Sequence, residues 1–233
     1  MRKPSVKLTN NKTMKAMKTF IDEYGVTYTE DRKTLVKGNS ALEEYTVPEG
    51  TEVIGNDAWG KMDKLKNINL PEGLVEIESL AFSGCMGLTT IQLPSTLKEI
   101  GSDAFELTML RFVQIPEGVT ILRNDTFCDC LALGAVVLPS TLEAIEDYAF
   151  CCCHTVQVCL MAKERKLNYI DDTAFDGSKG VFLVPYYLQR EYAEAFPTHK
   201  TRFFGVNIVE GAGKADVYSP KGNIVWEMPV EVQ

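Results

Sequence analysis

The sequence predicts an α+β repeat solenoid, in which units of about 23 residues stack as successive turns of one coil. Two short patterns recur in step along the chain. The first is a hydrophobic residue followed by proline, at Val47-Pro48, Leu70-Pro71, Leu93-Pro94, Ile115-Pro116, Leu138-Pro139 and Val184-Pro185. The second is a small residue followed by an aromatic residue, at Ala58-Trp59, Ala81-Phe82, Ala104-Phe105, Thr126-Phe127, Ala149-Phe150 and Ala174-Phe175. A unit of this size cannot bury its own apolar face, so neighbouring units are expected to stack.

Each unit predicts a short strand directly before its proline. Apolar residues lie three and one positions before the proline, as in Ile68 and Leu70. This alternation is typical of a half-buried strand, and proline then ends the strand because it has no N–H to donate. A second buried aliphatic residue, such as Ile77, follows the turn. In the sixth unit the missing anchor falls at Met161-Ala162, which places Cys159 at a core strand position.

Residues 88–105, with the sequence LTTIQLPSTLKEIGSDAF, resemble the BspA-like class of leucine-rich repeats, as do residues 81–88, AFSGCMGL. The resemblance covers roughly residues 40–200. It implies a right-handed coil with stacked parallel strands on one side and short turns or helical pieces on the other. Residues 184–196 resemble the terminal capping helix of that class. Its members are mostly bacterial or protist surface proteins implicated in binding, so the resemblance implies a binding role that extends to cell-surface adhesion.

The flanks of the repeats predict two caps. Residues 1–37 are assigned to an N-terminal cap, with an amphipathic helix over 13–24 and a hairpin over 28–35 that seals the first strand edge. Residues 38–185 form the solenoid. Residues 186–233 are assigned to a capping helix followed by a short β appendage, with strands over 203–209 and 215–226.

Charge and hydropathy exclude several partners. The net charge of −8 argues against nucleic acid, although residues 1–37 carry nine Lys and Arg against four Asp and Glu. No apolar run approaches the roughly 18 residues that a transmembrane helix needs.

The polar residues after Met1-Arg-Lys contain no apolar signal-peptide core. A cytoplasmic location follows if Met1 is the native start, whereas the resemblance suggests the cell surface or secretion.

The seven cysteines are mostly explained by their positions. Cys85, Cys130 and Cys153 each follow a repeat aromatic by three residues, so they are expected in the interior. Cys128 and Cys151 directly follow their aromatics and should lie on adjacent coils. Structural packing is favoured for this group over a zinc site with His154 and over a redox-sensitive Cys128–Cys151 pair. No metal and no cofactor is therefore predicted.

Candidate catalytic groups fail on inspection, so the sequence predicts a protein that is not an enzyme. A Cys153–His154 pair lacks a third orienting group and a cleft. Residues 211–215 lack the first glycine and the final Ser or Thr of a phosphate-binding loop. Recurrent aspartates are expected to cap the turn before the aromatic residue rather than bind calcium; they are Asp57, Asp103 and Asp125.

Positions four and two before each proline should point out of the solenoid, and there the ligand is expected to bind. These positions are polar in the first coils and apolar later. The predicted ligand contacts are Asn67, Asn69, Thr90, Gln92, Phe112 and Gln114, and the predicted ligand is a protein or a glycan. The apolar positions, which include Ala135, Val137, Val158, Leu160, Val181 and Leu183, form a patch that needs a cover.

Three covers are considered for the apolar patch. The first is the chain's own C-terminal segment, through Phe203, Phe204, Val206, Ile208 and Trp226. The second is an identical subunit, which would make a homodimer, and the third is an external ligand. Two functions follow from these alternatives. The first is a non-catalytic binding module, and the second is a structural scaffold that self-assembles through the apolar part of the strand face.

Overall fold

The structure is a computed structural model that describes residues 18–154, 156–160, 167–209 and 214–229. Its strands in chain order are β1 (Thr19–Ile21), β2 (Thr27–Thr29), β3 (Thr34–Lys37), β4 (Glu44–Thr46), β5 (Val53–Ile54), β6 (Asn67–Asn69), β7 (Glu76–Ile77), β8 (Glu99–Ile100), β9 (Phe112–Gln114), β10 (Ile121–Leu122), β11 (Ala135–Leu138), β12 (Ala144–Ile145), β13 (Gln157–Leu160), β14 (Tyr169–Ile170), β15 (Val181–Pro185), β16 (Phe203–Val209), β17 (Lys214–Tyr218) and β18 (Ile224–Pro229). A helix, α1 (Gln189–Ala195), and short 3-10 segments over Tyr186–Leu188 and Pro197–Arg202 separate β15 from β16. The arrangement is a β-solenoid of about seven stacked parallel turns, as the repeats predict.

Two columns of parallel strands run along the solenoid. The first contains the strands before the prolines, with β4 paired to β6 and β9 continuing through β11 and β13 to β15. The second contains the short strands after the turns, with β3, β5, β7 and β8 in one sheet and β10, β12 and β14 in another. The inward residues of both columns, such as Val113 and Ile77, are fully buried. The strands inferred from apolar alternation are therefore present in the coils up to the second and from the fourth onward, whereas residues 89–93 of the third coil, also predicted to be a strand, form none.

The third column is the turn that carries the repeat aromatic residues. Phe82, Phe105, Phe127 and Phe150 stack with ring centroids 5.5, 5.5 and 5.6 Å apart and planes within 8° of parallel. Backbone hydrogen bonds link every pair of neighbouring turns here, as from Phe105 N–H to Thr126 O at 3.0 Å. Parallel rings at this separation lie within the favourable range for aromatic pairs. This column holds the coils together without interruption from Trp59 to Phe175.

The interior thiols predicted from sequence are confirmed and are hydrogen-bonded. Cys85, Cys130 and Cys153 are fully buried. Each Sγ donates to the carbonyl of the aromatic residue one coil earlier, at 3.1, 3.0 and 3.1 Å. Burial raises the pKa of Cys85 to about 12 and that of Cys130 to about 11. These thiols therefore stay protonated and serve as small core residues with one satisfied donor each.

The N-terminal cap differs from the prediction. The amphipathic helix expected over 13–24 is wrong in its second half, because residues 19–21 form β1, antiparallel to β2. Residues 13–17 lie outside the described part of the chain. The predicted hairpin is present as β2 and β3, and β3 then pairs in parallel with β5 of the first coil. Strand is favoured over helix here because β1 lies at the end of the sheet, where Phe20 stacks on Tyr28 at 5.6 Å.

The sixth coil is shifted by one residue from its predicted register. Val158, expected to point outward, is fully buried and pairs with Val136, which is also buried. Cys159, expected in the core, aligns instead with Val137 and Leu183 of the outward positions. A shift of one residue exchanges the two faces of a strand. The unit lacks the proline that fixes where the other strands end, and its strand extends to residue 160.

The C-terminal segment extends the sheet rather than folding over it. β16 pairs in parallel with β15, and β17 and β18 add antiparallel strands beyond it. Phe203 points into the core, with its ring centroid 5.0 Å from Phe182 and 5.2 Å from Tyr192 of α1. A helix and a terminal hairpin thus lie where the sequence predicts a capping helix and a β appendage. Because β16, β17 and β18 continue the sheet at its edge, the described part of this segment does not provide the first of the three covers considered for the apolar patch.

Candidate functional site

The predicted ligand contacts lie together on the outer surface of the first strand column. All six are exposed, and Phe112 keeps 50% of its surface accessible. They occupy the second, third and fourth coils, and they are Asn67, Asn69, Thr90, Gln92, Phe112 and Gln114. We call these six residues the candidate face. The structure therefore brings the residues together as the repeat spacing requires.

The strand column is interrupted beneath the candidate face. Residues 89–93 of the third coil are not a strand, and they separate the β4–β6 pair from the sheet that begins at β9. Within the described residues, the backbone N–H groups of residues 90–93 donate no hydrogen bond. The carbonyl of Thr89 still accepts from Arg111 N–H at 3.1 Å. We call residues 89–93 the open segment, because its backbone groups are left for solvent or a ligand.

The interruption coincides with a shortened repeat. Five positions separate Phe105 from Leu110, whereas six separate Phe82 from Leu88 and also Phe127 from Leu133. The missing residue lies directly before β9, which is why the corresponding prolines are 22 rather than 23 residues apart. The second strand column is also interrupted here, because β8 and β10 belong to different sheets. Only the aromatic column passes through this part of the solenoid unbroken.

Two grooves flank the open segment, and each has a volume of about 580 Å³. The first lies between the second and third coils, and the second lies between the third and fourth coils. Both are lined by Ile91, Gln92 and Glu72. Ile91 is half-buried, whereas the corresponding Ile68 and Val113 are buried. The grooves therefore offer apolar surface beside unpaired backbone groups and polar side chains.

The charge of the grooves is negative. Glu44 and Glu72 line the first groove, and Glu72 and Glu117 line the second. The Glu117 carboxylate accepts hydrogen bonds from the Ser140 N–H and Oγ–H, each at 3.0 Å, and these bonds lower its pKa. Glu72 accepts the equivalent bonds from Ser95, with 2.9 Å to Oγ. These carboxylates were not among the predicted contacts, but the recurring Glu-Gly and Ser-Thr turns after the prolines carried the signal.

The apolar part of the outer surface is smaller than the sequence indicated. Ala135 and Val137 are half-buried, and Leu183 is buried. The register shift aligns Gln157 with Ala135 of the neighbouring strand, and Val158 is buried. Phe112 thus remains the large exposed apolar residue at the centre of this surface, between the polar and apolar halves.

The other candidate sites considered from the sequence are not assembled among the described residues. No group of three or more His, Cys, Asp and Glu side chains in that part of the chain is arranged to hold a metal ion. The predicted capping role of the aspartates is not seen at Asp57, whose carboxylate accepts from Lys37 Nζ at 2.9 Å. Asp57, Asp103 and Asp125 instead adopt left-handed turns, with φ between 51° and 57°, which Asp tolerates better than most residues. No described helix is long and apolar enough to cross a bilayer.

Comparison with known proteins agrees with this architecture. A family model described as the BspA type leucine-rich repeat region matches in six copies, over residues 35–157 and 98–181. The pneumococcal vaccine antigen PcpA is similar in structure, with a TM-score of 0.63 and 18% identity over 76% of this chain and 45% of that one. A leucine-rich cell surface protein from Faecalibacterium prausnitzii has a TM-score of 0.56 and 20% identity, over 92% of this chain and 61% of that one.

The chain thus spans about half the length of these structures, and the likeness to them is one of fold. No curated protein matches it in sequence.

Proposed function

Because this chain belongs to the family of BspA-type leucine-rich repeat proteins, we propose that it is a non-catalytic binding module that recognises a polypeptide through the candidate face. Cell-surface adhesion is the form of binding that we propose, since the name of the Faecalibacterium protein places that relative at the cell surface. The observation that carries the proposal is the open segment. Its unpaired backbone N–H groups lie between two grooves that already expose amide, carboxylate and apolar groups.

An extended polypeptide matches this arrangement in three ways. Its backbone carbonyls can accept from the N–H groups of residues 90–93, as in recognition by strand addition. The amides of Asn67 and Gln92 can both donate and accept, which suits peptide groups at little desolvation cost. Ile91 within the open segment and Phe112 across the second groove offer apolar contacts. A glycan would use the amides but would leave the spacing of the backbone groups unexplained.

We expect the triple substitution Asn67→Ala, Asn69→Ala and Gln92→Ala to weaken binding at least about tenfold, because each lost hydrogen bond contributes roughly 1 kcal/mol. The ligand is first identified by probing arrays of synthetic peptides and of purified oligosaccharides with the full chain. Affinity is then measured by calorimetry for the strongest hit. The matched control carries Asp63→Ala and Lys64→Ala, which are exposed on the turn beyond the aromatic column and should leave affinity unchanged.

Two outcomes would contradict this proposal. If the triple variant binds as tightly as the unmodified chain, the candidate face is not the contact surface. If only oligosaccharides bind, and the triple variant loses that binding, the surface is correct but the ligand class is a glycan.

The second candidate function is self-assembly, and the exposed Phe112 favours it. Phe112 aligns with Ala135 in the neighbouring strand, and the two form an apolar surface that a second copy of the chain can cover. If this surface assembles, the weight-average mass in sedimentation equilibrium should rise with concentration, and Phe112→Ser should return it to the monomer value. A constant monomer mass over the concentration range would rule out the scaffold function.

A further inference from the structure

Three thiols lie outside the core on the fourth and fifth aromatic turns. Cys128 and Cys151 directly follow Phe127 and Phe150, and Cys152 comes next. Cys128 is buried, whereas Cys151 and Cys152 are half-buried. The sulfur of Cys151 lies 3.5 Å from that of Cys152, and the Sγ of Cys128 lies 3.9 Å from Asp129 Oδ2. Cys128 and Cys151 are near enough that each influences the pKa of the other.

The backbone holds Cys128 directly opposite Cys151. The hydrogen bond from Phe127 N–H to Ala149 O and that from Asp129 N–H to Cys151 O are both 2.9 Å, and they lie on either side of Cys128. The rings of Phe127 and Phe150, one residue away, have centroids 5.6 Å apart. Backbones joined by such hydrogen bonds lie about 5 Å apart, which is within the roughly 4.4–6.8 Å that a disulfide requires between α-carbons.

The Cys151–Cys152 pair is a poorer candidate despite the contact between its sulfurs. Neighbouring α-carbons joined by a trans peptide are about 3.8 Å apart, which is below the usual disulfide range. The structure contains no cis peptide bond in the described residues. Bond formation between these two cysteines would therefore have to distort the backbone, whereas bond formation across the coils would not.

We propose that Cys128 and Cys151 are a redox site, and that they form a reversible disulfide which joins two adjacent coils. With a small disulfide such as oxidised glutathione as the oxidant, the Cys151 thiolate attacks one glutathione sulfur and releases one glutathione. The Cys128 thiolate then attacks the Cys151 sulfur and releases the second. Two protein thiols are oxidised and one glutathione disulfide is reduced, and the two protons pass to the glutathione thiolates.

The surroundings of the pair set its pH dependence. Burial and the neighbouring Cys152 raise the pKa of Cys151 to about 11, and burial also raises that of Cys128. The carboxylates near the pair are Asp125 and Asp129 around Cys128 and Asp176 near Cys151, and all disfavour a thiolate. Because the thiolate is the nucleophile, oxidation should be slow at pH 7 and about tenfold faster for each pH unit up to pH 9.

The experiment incubates the full chain with oxidised glutathione at pH 8.5 and follows its intact mass. The mass of the expected product is about 2 Da lower, because the formation of one disulfide removes two hydrogen atoms. Digestion after glutamate, at Glu143 and Glu146, separates Cys128 from Cys151 in sequence. The oxidised sample should then yield a cross-linked pair of peptides, with Cys128 joined to Cys151. A rise in Tm of about 5 °C is expected on oxidation, because the link restricts the unfolded chain.

Three single variants separate this pair from its neighbours. Cys152→Ser should still form the disulfide, whereas Cys128→Ser should stop at a mixed disulfide with glutathione. Cys85→Ser, which changes a core thiol, is the control for general loss of stability. A Cys151–Cys152 disulfide, or a mixed disulfide that persists in the unmodified chain, would overturn the proposal. So would no reaction in the folded chain when the urea-unfolded chain is oxidised. None of these outcomes depends on ligand binding at the candidate face.

Discussion

Replacing Phe105 with alanine is expected to lower the free energy of unfolding by about 4 kcal/mol, the range found when a fully buried phenylalanine is truncated. Phe105 is completely buried and stacks on Phe82 and on Phe127, at 5.5 Å on each side. The loss combines the transfer of a large apolar side chain with the cavity that remains. Since single domains are stable by only about 5–15 kcal/mol, this one change removes a large part of the total.

Because of its position, we expect Phe105→Ala also to change how the two halves of the solenoid unfold. Both strand columns are interrupted around the third coil, so the aromatic column is the one column that continues between the two halves of the solenoid. Among the described residues, the strand columns add a single backbone hydrogen bond there, from Arg111 N–H to Thr89 O. In a repeat protein, stability is a sum of unit and interface contributions, and a weak interface lets the halves unfold separately. Urea unfolding of Phe105→Ala, followed by circular dichroism, should therefore show two resolved transitions.

Phe150→Ala is the matched control for this experiment. Phe150 is equally buried and stacks on Phe127 and Phe175, but the strands around it are paired without interruption. It should lose a similar free energy in a single transition. Phe112→Ala removes an exposed phenylalanine and should cost less than about 1 kcal/mol. Phe105→Ala could instead unfold in a single transition, with the same dependence of the unfolding free energy on urea concentration as the unmodified chain. That result would show that the interrupted columns do not weaken the interface.

The main architecture could be read from the sequence because side-chain periodicity records burial. Each aromatic residue of the second pattern and each aliphatic residue before it lies in the core, as for Phe82 and Ile77. The outward positions before the prolines could be read for the same reason, which is why the six residues of the candidate face are exposed. Alternation along a strand determines which face a residue occupies, and this needs no knowledge of neighbouring coils.

Pairing between coils could not be read in the same way. The apolar pattern of residues 88–93 is as regular as that of other units, yet in the described chain the open segment forms no strand and makes one backbone hydrogen bond to a neighbouring coil, from Arg111 N–H to Thr89 O. Whether two backbones approach to hydrogen-bond distance depends on the path of the chain between them, which one missing residue alters. The sequence signal for this change was the interval between Pro94 and Pro116, which is 22 residues instead of 23. The charge of the grooves also depends on the packing of turns, which places Glu72 and Glu117 beside the open segment.

The register of the sixth coil and the N-terminal strand show a second limit. Without its proline, the sixth unit offered no fixed end from which to count inward and outward positions. Val158 was therefore assigned to the outer surface, although it is buried, and the strand register differs by one residue from the predicted one. At the N-terminus, the spacing of Phe20 and Tyr24 fitted a helix. The unpaired edge of β2 nevertheless takes residues 19–21 as a strand. Tertiary hydrogen bonding thus outweighed a local pattern.

The substitution Gly101→Ala is expected to destabilise the chain by about 3 kcal/mol, since added volume against a rigid backbone costs that much. A Cβ built at Gly101 would lie 2.4 Å from Ser79 N, 2.7 Å from Glu78 C and 2.8 Å from Ser79 Cα. All three are backbone atoms of the preceding coil, so no side chain can move aside to relieve the overlap. The measurement is the free energy of unfolding in urea, compared with that of Gly73→Ala.

Gly73 separates steric overlap from backbone strain. Its φ is +97°, but nothing lies within 4 Å of an added Cβ, so alanine there should cost only about 1 kcal/mol. The corresponding residues of the second and fourth coils are Glu78 and Arg123, which carry full side chains. In the first coil the corresponding Gly55 also lies close to backbone, with an added Cβ 2.9 Å from Leu35 O. In the third coil the chain lies against the second coil, through the 2.8 Å bond from Gly101 N–H to Ile77 O, and β8 loses its pairing with β10. If Gly101→Ala costs no more than Gly73→Ala, the third coil is free to shift toward the fourth, and its position against the second coil does not depend on this glycine.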